Sequence, residues 1–420
     1  MVVGTIIGAS IFVQPSVITA RVPSTLGIAV TWLLAGAITL MGALVAAELA
    51  SAFPRSGGVY VFLKEAYGPA LGFLWGWAML ISMHSGILAA ISVVFARYVG
   101  VFVALSPVGV RVVAIGGIAM VTVVNLLGVK AGARTQTLFT AAKVAAILGI
   151  VLAAFLIGPR HPAMVDGESP LAIVTLKGVV LAVGAGLFAY GGWHMVTYAA
   201  DETIDPERTI PRALLFGMMI VTVCYVTLNL AYLHLMPMPA VIASHSLAAD
   251  AANVVLGSGG AALAAAIVIV STLGALNGIA LAGPRVYYAM AQDGLLFGWL
   301  GAVHPVTRTP HRATILQGLL AAALVASSSY EGLFSRVIYT EWIFFALMAL
   351  GLLRLRTRPD YHPAYRVWGY PAAPLIFAAA AIAVAAGPVF NRPKDSILGL
   401  LLVVAGLPIY WIWTAGRKRT

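Results

Sequence analysis

Few residues in this chain have types and spacing fit for chemistry. Two apolar runs are broken by small residues: GTIIGASIF, from Gly4 to Phe12, and GAGLFAYGGW, from Gly184 to Trp193. A lysine, Lys143, stands inside the apolar run FTAAKVAAI, Glu341 stands beside Trp342 in YTEWIFFALMALG, and His194 follows directly on the second broken run. Each glycine costs a helix about 1 kcal/mol relative to alanine, so a cluster of them makes local unwinding cheap. Backbone groups freed within a bilayer cannot meet lipid, so they must line a cavity and bind something. The N-terminus of a half-helix suits a carboxylate, and freed carbonyls suit an ammonium group. For either run alone, close helix packing through small residues is the better account.

The elements that carry these residues follow from composition. Of 420 residues, 61% are hydrophobic and 9% charged, against roughly 25% charged in a soluble domain. With a mean hydropathy of +0.98, the chain reads as an all-α polytopic membrane protein, because its apolar blocks are long and do not alternate as barrel strands do. About twelve spans are expected, near 1–20, 26–52, 70–98, 109–128, 137–158, 175–199, 211–235, 260–283, 313–329, 335–353, 371–389 and 396–415. The polar stretch from Arg285 to Arg312 reads as a loop with a short amphipathic helix. The net charge of +11 argues for cytoplasmic loops rather than for nucleic acid, which is not expected as a partner. Cys224, the single cysteine, lies in an apolar run and offers neither a disulfide framework nor a metal cluster. No metal or cofactor is called for, and no signal-peptide cleavage pattern follows the first run.

Lysine and arginine bias loops toward the cytoplasm. With a cytoplasmic N-terminus, sixteen of them fall inside, among them Arg55, Lys64, Arg285, Arg356, Lys418 and Arg419, and seven fall outside, among them Arg21, Arg160, Arg336 and Arg392. Both termini are therefore expected on the cytoplasmic side of a plasma (inner) membrane. The broken runs also correspond, since five spans start from each. Two helix breaks at matching positions of two halves point to an inverted-repeat transporter with its site at mid-membrane.

The motifs VGTIIGASIF, GVKAGARTQTLFTAAKVAAI, LFAYGGWHMVTYAADETIDPERTIPRAL and LGALNGIALAGPRVYYAMAQDGLL resemble the amino acid, polyamine and organocation transporter superfamily, and within it the L-type amino acid transporters. The likeness covers essentially the whole chain. It implies a LeuT-type five-plus-five inverted repeat followed by two extra helices, with the first and sixth helices broken. The repeats would occupy about 1–158 and 175–353 of a single domain 1–420, with the additional helices at about 371–415. By this resemblance the amides of Gly8, Ala9 and Ser10 hold the substrate carboxylate, and the carbonyls of Ile6, Phe188 and Gly191 meet its amine. Ile7 and Ala189 stand in the same two breaks, and the Phe188 ring acts as a gate. The family usually reads Gly-Ser-Gly where this chain has Gly8, Ala9 and Ser10, which moves a hydroxyl contact by one residue. Alternatively, the Ser10 hydroxyl bonds back into its own helix.

Lys143 lies where sodium-coupled members of the superfamily bind their ion, so the resemblance implies a sodium-site substitute and sodium-independent transport. Snorkelling of Lys143 to the interface is the alternative. His194 is read either as a pH-sensitive pocket residue or as a neutral hydrogen-bonded one, and Glu341 with Trp342 as outer pocket or as solvent-accessible from outside. Asn277 is expected to bond a neighbouring helix, and Asp201 and Glu202 to partner basic residues. Asp205 and Pro206 read as a turn, with Pro211 in the first turn of the helix that follows. Seven residues precede Gly8, only about 10 Å of helix, so the first half of the first helix is expected to be missing.

Three function classes follow. The leading one is secondary transport of amino acids, most simply sodium-independent exchange of neutral L-amino acids, with proton-coupled amino acid or polyamine uptake as runner-up. A membrane enzyme lacks a nucleophile, base and orienting acid together, and a transporter-like amino acid sensor would bind without turnover. The expected partners are an amino acid substrate and the lipid bilayer. Mammalian members pair with a glycoprotein through a cysteine in the outer loop between the third and fourth spans; none stands there, so no disulfide-linked heavy subunit is expected.

Overall fold

The computed structural model describes residues 1–159, 175–244, 246–327 and 330–417. Arg160, Lys418 and Arg419 of the charge count lie outside them, as do the side chains of Arg336 and Arg417. Among the described residues, 10 helices are long and apolar enough to cross a membrane, from Thr25–Ala52 to Pro393–Thr414. The expected ninth span is the 17-residue helix His311–Ser327. The first is no continuous helix but three pieces: Val2–Ile6, a tight turn at Ala9–Phe12, and Gln14–Arg21.

The breaks fall where the glycines are. Val2–Ile6 ends as Ile7 turns extended, with ψ 92, and Gly8 follows at φ −118 and ψ −154. The sixth span runs as the helix Leu176–Ala189, then turns at Gly192, whose φ of 101 lies in the left-handed region. A Cβ at Gly192 would also meet the Thr5 carbonyl oxygen at 2.8 Å. No other residue fits there, because both the dihedral and the backbone approach exclude a side chain.

Helices from both halves wrap these breaks. Thr25–Ala52 packs along Pro206–Leu235, Gly260–Ala282 lies against both His84–Val99 and Val129–Leu156, and Tyr330–Leu355 packs on Ala372–Asn391. The third span, Pro69–Val99, contains a wide turn at Met79–Met83 just before His84. Such bulges re-aim side chains near functional sites.

The seventh span starts earlier than its apolar run suggests. Its helix opens at Pro206, after Asp205 in a left-handed conformation, so Pro211 lies inside the helix beyond its first turn. Proline is well placed at the first helical position because its missing N–H would be unpaired there anyway, and that favours Pro206 as the start.

On the loop side, Arg285 grips Glu202 with two bonds, at 2.9 and 2.5 Å, and Ser56 bonds Asp201. Lys64 Nζ and Tyr60 Oη both donate to Asp293 Oδ2, at 2.7 and 2.6 Å. Burial, followed by the bond to Asp293, pushes the Tyr60 phenol well above its ordinary range, so it remains a donor.

Candidate substrate site

The two breaks meet face to face and are tied by side chains. Thr5 Oγ1 lies 3.1 Å from the carbonyl of Gly192. Tyr225 Oη, from the seventh span, lies 3.1 Å from both Ile6 O and Ala189 O, and its single proton can serve one of them at a time. Ser10 Oγ reaches Ala189 O at 3.5 Å, so it crosses to the other break instead of bonding back into its own helix. The Tyr225 ring packs on Trp32 and Tyr190 at centroid distances of 5.3 and 4.9 Å, which fixes the hydroxyl.

Behind the first break lies Lys143, only 2% exposed. Its ammonium group donates to Gly4 O at 2.9 Å and to Ile7 O at 2.7 Å. The side chain does not snorkel; it takes up carbonyls that the interrupted helix cannot pair. Beside it, Asn277 is fully buried, donates to Gln136 Oε1 at 2.9 Å and accepts from Asn125 at 3.0 Å. That bond chain joins two other spans, Pro107–Leu126 and Gly260–Ala282, to the helix carrying Lys143.

In front of the breaks is a cavity of about 320 Å³. Its wall includes Ile6, Gly8, Ser10, Phe188, Gly191, His194, Glu341 and Trp342, so the structure gathers most of the expected residues around one space. Phe188 is 40% exposed, as a ring over a cavity would be. Ile7 and Ala189 stand outside the wall: both are buried, and their carbonyls are engaged by Lys143 and by Tyr225 with Ser10. Ala9 enters through its backbone, which opens the tight turn. The first amides of that turn have no acceptor within it.

Among the described residues Glu341 is the single Asp, Glu, Lys or Arg in this wall, and its Oε1 lies 3.5 Å from His194 Nε2. The pair sits among Trp75, Trp193, Tyr198 and Phe345, with the Phe345 ring centroid 4.9 Å from that of the imidazole. Neither ring nitrogen of His194 has a hydrogen-bond partner among the described residues.

Sequence reasoning missed Thr5, Tyr225, Trp32 and Gln136. Tyr225 carried a signal, since a hydroxyl inside the apolar run IVTVCYVTLNLAY needs a partner. Taken together, the wall offers amide donors, carbonyl acceptors and one carboxylate in an apolar enclosure, an arrangement able to hold a small zwitterion.

Comparison with known proteins places this geometry in context. The amino acid permease family profile matches residues 1–411. The chain is 32% identical over 416 residues to the serine/threonine exchanger SteT of Bacillus subtilis (strain 168), covering 98% of this chain and 94% of that protein. It is 28% identical over 421 residues to the human b(0,+)-type amino acid transporter 1, covering 98% and 86%. To the mouse large neutral amino acids transporter small subunit 2 it is 29% identical over 427 residues, covering 98% and 79%.

Proposed function

This chain belongs to the amino acid permease family, and from that membership we propose that it is a sodium-independent exchanger of neutral L-amino acids working by alternating access. The family is one of transporters rather than enzymes, and the chain is an integral multi-pass membrane protein of LeuT-type fold. The observation that carries the proposal is the Lys143 ammonium group on the carbonyls of Gly4 and Ile7. An ammonium group at the back of the break repels a sodium ion and occupies the carbonyl oxygens that would otherwise ligate it.

In this reading the amides of Gly8, Ala9 and Ser10 hold the substrate carboxylate. The carbonyls of Ile6, Phe188 and Gly191 meet its ammonium group. Ile6 O accepts from Tyr225 and Phe188 O from the Gly191 amide, but each carbonyl keeps a second lone pair for the substrate. Phe188 closes over the bound molecule, while Glu341 and Trp342 border its side chain. The proposal includes two repeats, about 1–158 and 175–353, and two further helices at about 371–415. It also includes cytoplasmic termini, an inner-membrane location and no disulfide-linked subunit, in keeping with a single cysteine that is buried.

Uptake of labelled serine or leucine into proteoliposomes, in sodium buffer and in choline buffer, tests the sodium claim. Equal rates in both are expected, and a several-fold gain with sodium contradicts it. The His194–Glu341 approach at 3.5 Å favours one second reading, proton-coupled uptake, because an imidazole and a carboxylate can share a proton at the cavity wall.

A further inference from the structure

A second, larger space lies on the outside of the helix that walls the substrate cavity. It is a groove of about 570 Å³ between the Leu176–Ala189 and Ala372–Asn391 helices. Its floor is deepened by Gly184 on one helix and Gly387 on the other, its sides include Leu187 and Val384, and Asn391 and Arg392 close one end. Both helices are of membrane-crossing length, so the groove opens toward lipid.

The polar end has the chemistry of a headgroup site. Arg392 is exposed at the end of its helix and forms no ion pair among the described residues. The facing helix starts with the exposed Lys177. As the sixth and eleventh spans the two helices run in opposite directions, and they approach at Gly184 and Val384, which brings Lys177 and Arg392 to the same end. A guanidinium group at interface depth binds phosphate through a planar fork, and an apolar groove beneath it accepts an acyl chain.

We propose that this groove is a binding site for an anionic phospholipid, its phosphate on Arg392 and one acyl chain between Gly184 and Gly387. The site bears on transport through its wall. Leu187 lines the groove, and the next residue, Phe188, lines the substrate cavity. The same helix gives way at Gly192, so a lipid chain packed on its outer face braces the half-helix that must move for the gate to open.

The test is lipid retention by the purified full chain, read by native mass spectrometry after exchange into detergent with equal amounts of phosphatidylglycerol and phosphatidylcholine of identical chains. The wild type retains phosphatidylglycerol in preference. Arg392→Gln lowers that preference by about fivefold, the effect of one interface-level arginine. Gly387→Leu points a side chain into space where a Cβ meets nothing within 4 Å, and it lowers retention of both lipids by filling the groove. Equal retention of the two lipids by the wild type, or retention unchanged in both variants, overturns the proposal.

Discussion

The ammonium nitrogen of Lys143 sits 2.7 Å from the carbonyl oxygen of Ile7 and 2.9 Å from that of Gly4, on opposite sides of the point where the first helix stops. One side chain thus closes the hydrogen-bond account of a broken helix from behind. Removing it strands two buried carbonyls, at about 1–3 kcal/mol for each group left unmet. Lys143→Ala should therefore cut amino acid uptake in proteoliposomes at least tenfold. Arginine, with a longer and planar head, should rescue poorly. Unchanged uptake by Lys143→Ala would remove the lysine from the mechanism.

Whereas Lys143 bonds within the first break, Tyr225 ties the two breaks together, with its hydroxyl 3.1 Å from Ile6 O and Ala189 O. Tyr225→Phe keeps the ring on Trp32 and Tyr190 but loses that bond. The expected result is a KM raised about fivefold to tenfold, in line with loss of one buried hydrogen bond, and a smaller change in kcat. Radiolabelled uptake over a range of substrate concentrations separates the two.

How much of this was legible in the chain depends on what each residue had to do. Gly8, Gly191 and Lys143 announced themselves, because a glycine cluster or a charge inside an apolar span is costly and needs a reason. The span positions were legible too, since bilayer thickness sets their length. The ties through Thr5, Tyr225 and Gln136 were not, because hydroxyl and amide groups are common in membrane helices and their partners lie far away in sequence. The placement of Pro211 failed because the hydropathy of 211–235 hid a polar first turn that Asp205 and Pro206 had already nucleated. The distance between His194 and Glu341 is a property of two spans in three dimensions, and no local pattern carries it.

That pair makes a prediction about pH. His194 Nε2 and Glu341 Oε1 stand 3.5 Å apart at the cavity wall, close enough to pass a proton between them. If the proton-coupled reading holds, uptake varies with external pH and His194→Asn flattens the profile. Initial rates across roughly pH 5.5 to 8, the physiological window, decide the matter. A profile identical in wild type and variant leaves exchange without proton coupling.

Stability rests on a different pair, at the end of the second span. Glu48 is 0% exposed and takes bonds from Arg356 Nε at 2.8 Å, Arg356 Nη2 at 2.5 Å and the Val367 amide at 2.6 Å. The bonds to Glu48 hold the Arg356 guanidinium above its usual range, and it stacks 3.8 Å from the Tyr370 ring centroid. Arg356→Ala leaves a buried carboxylate without its main partner, at about 3–5 kcal/mol. It should lower the thermal midpoint in detergent by several degrees, and Arg356→Lys should recover only part, because lysine lacks the fork.

The central claim is exchange of amino acids through the cavity between the two breaks. Counterflow tests it most directly: proteoliposomes in sodium-free buffer, loaded with one unlabelled neutral amino acid, are given a labelled one outside. The account predicts trans-stimulation, with labelled uptake several-fold above that of empty vesicles and lost in Lys143→Ala. Uptake equal in loaded and empty vesicles for every amino acid tried would contradict it.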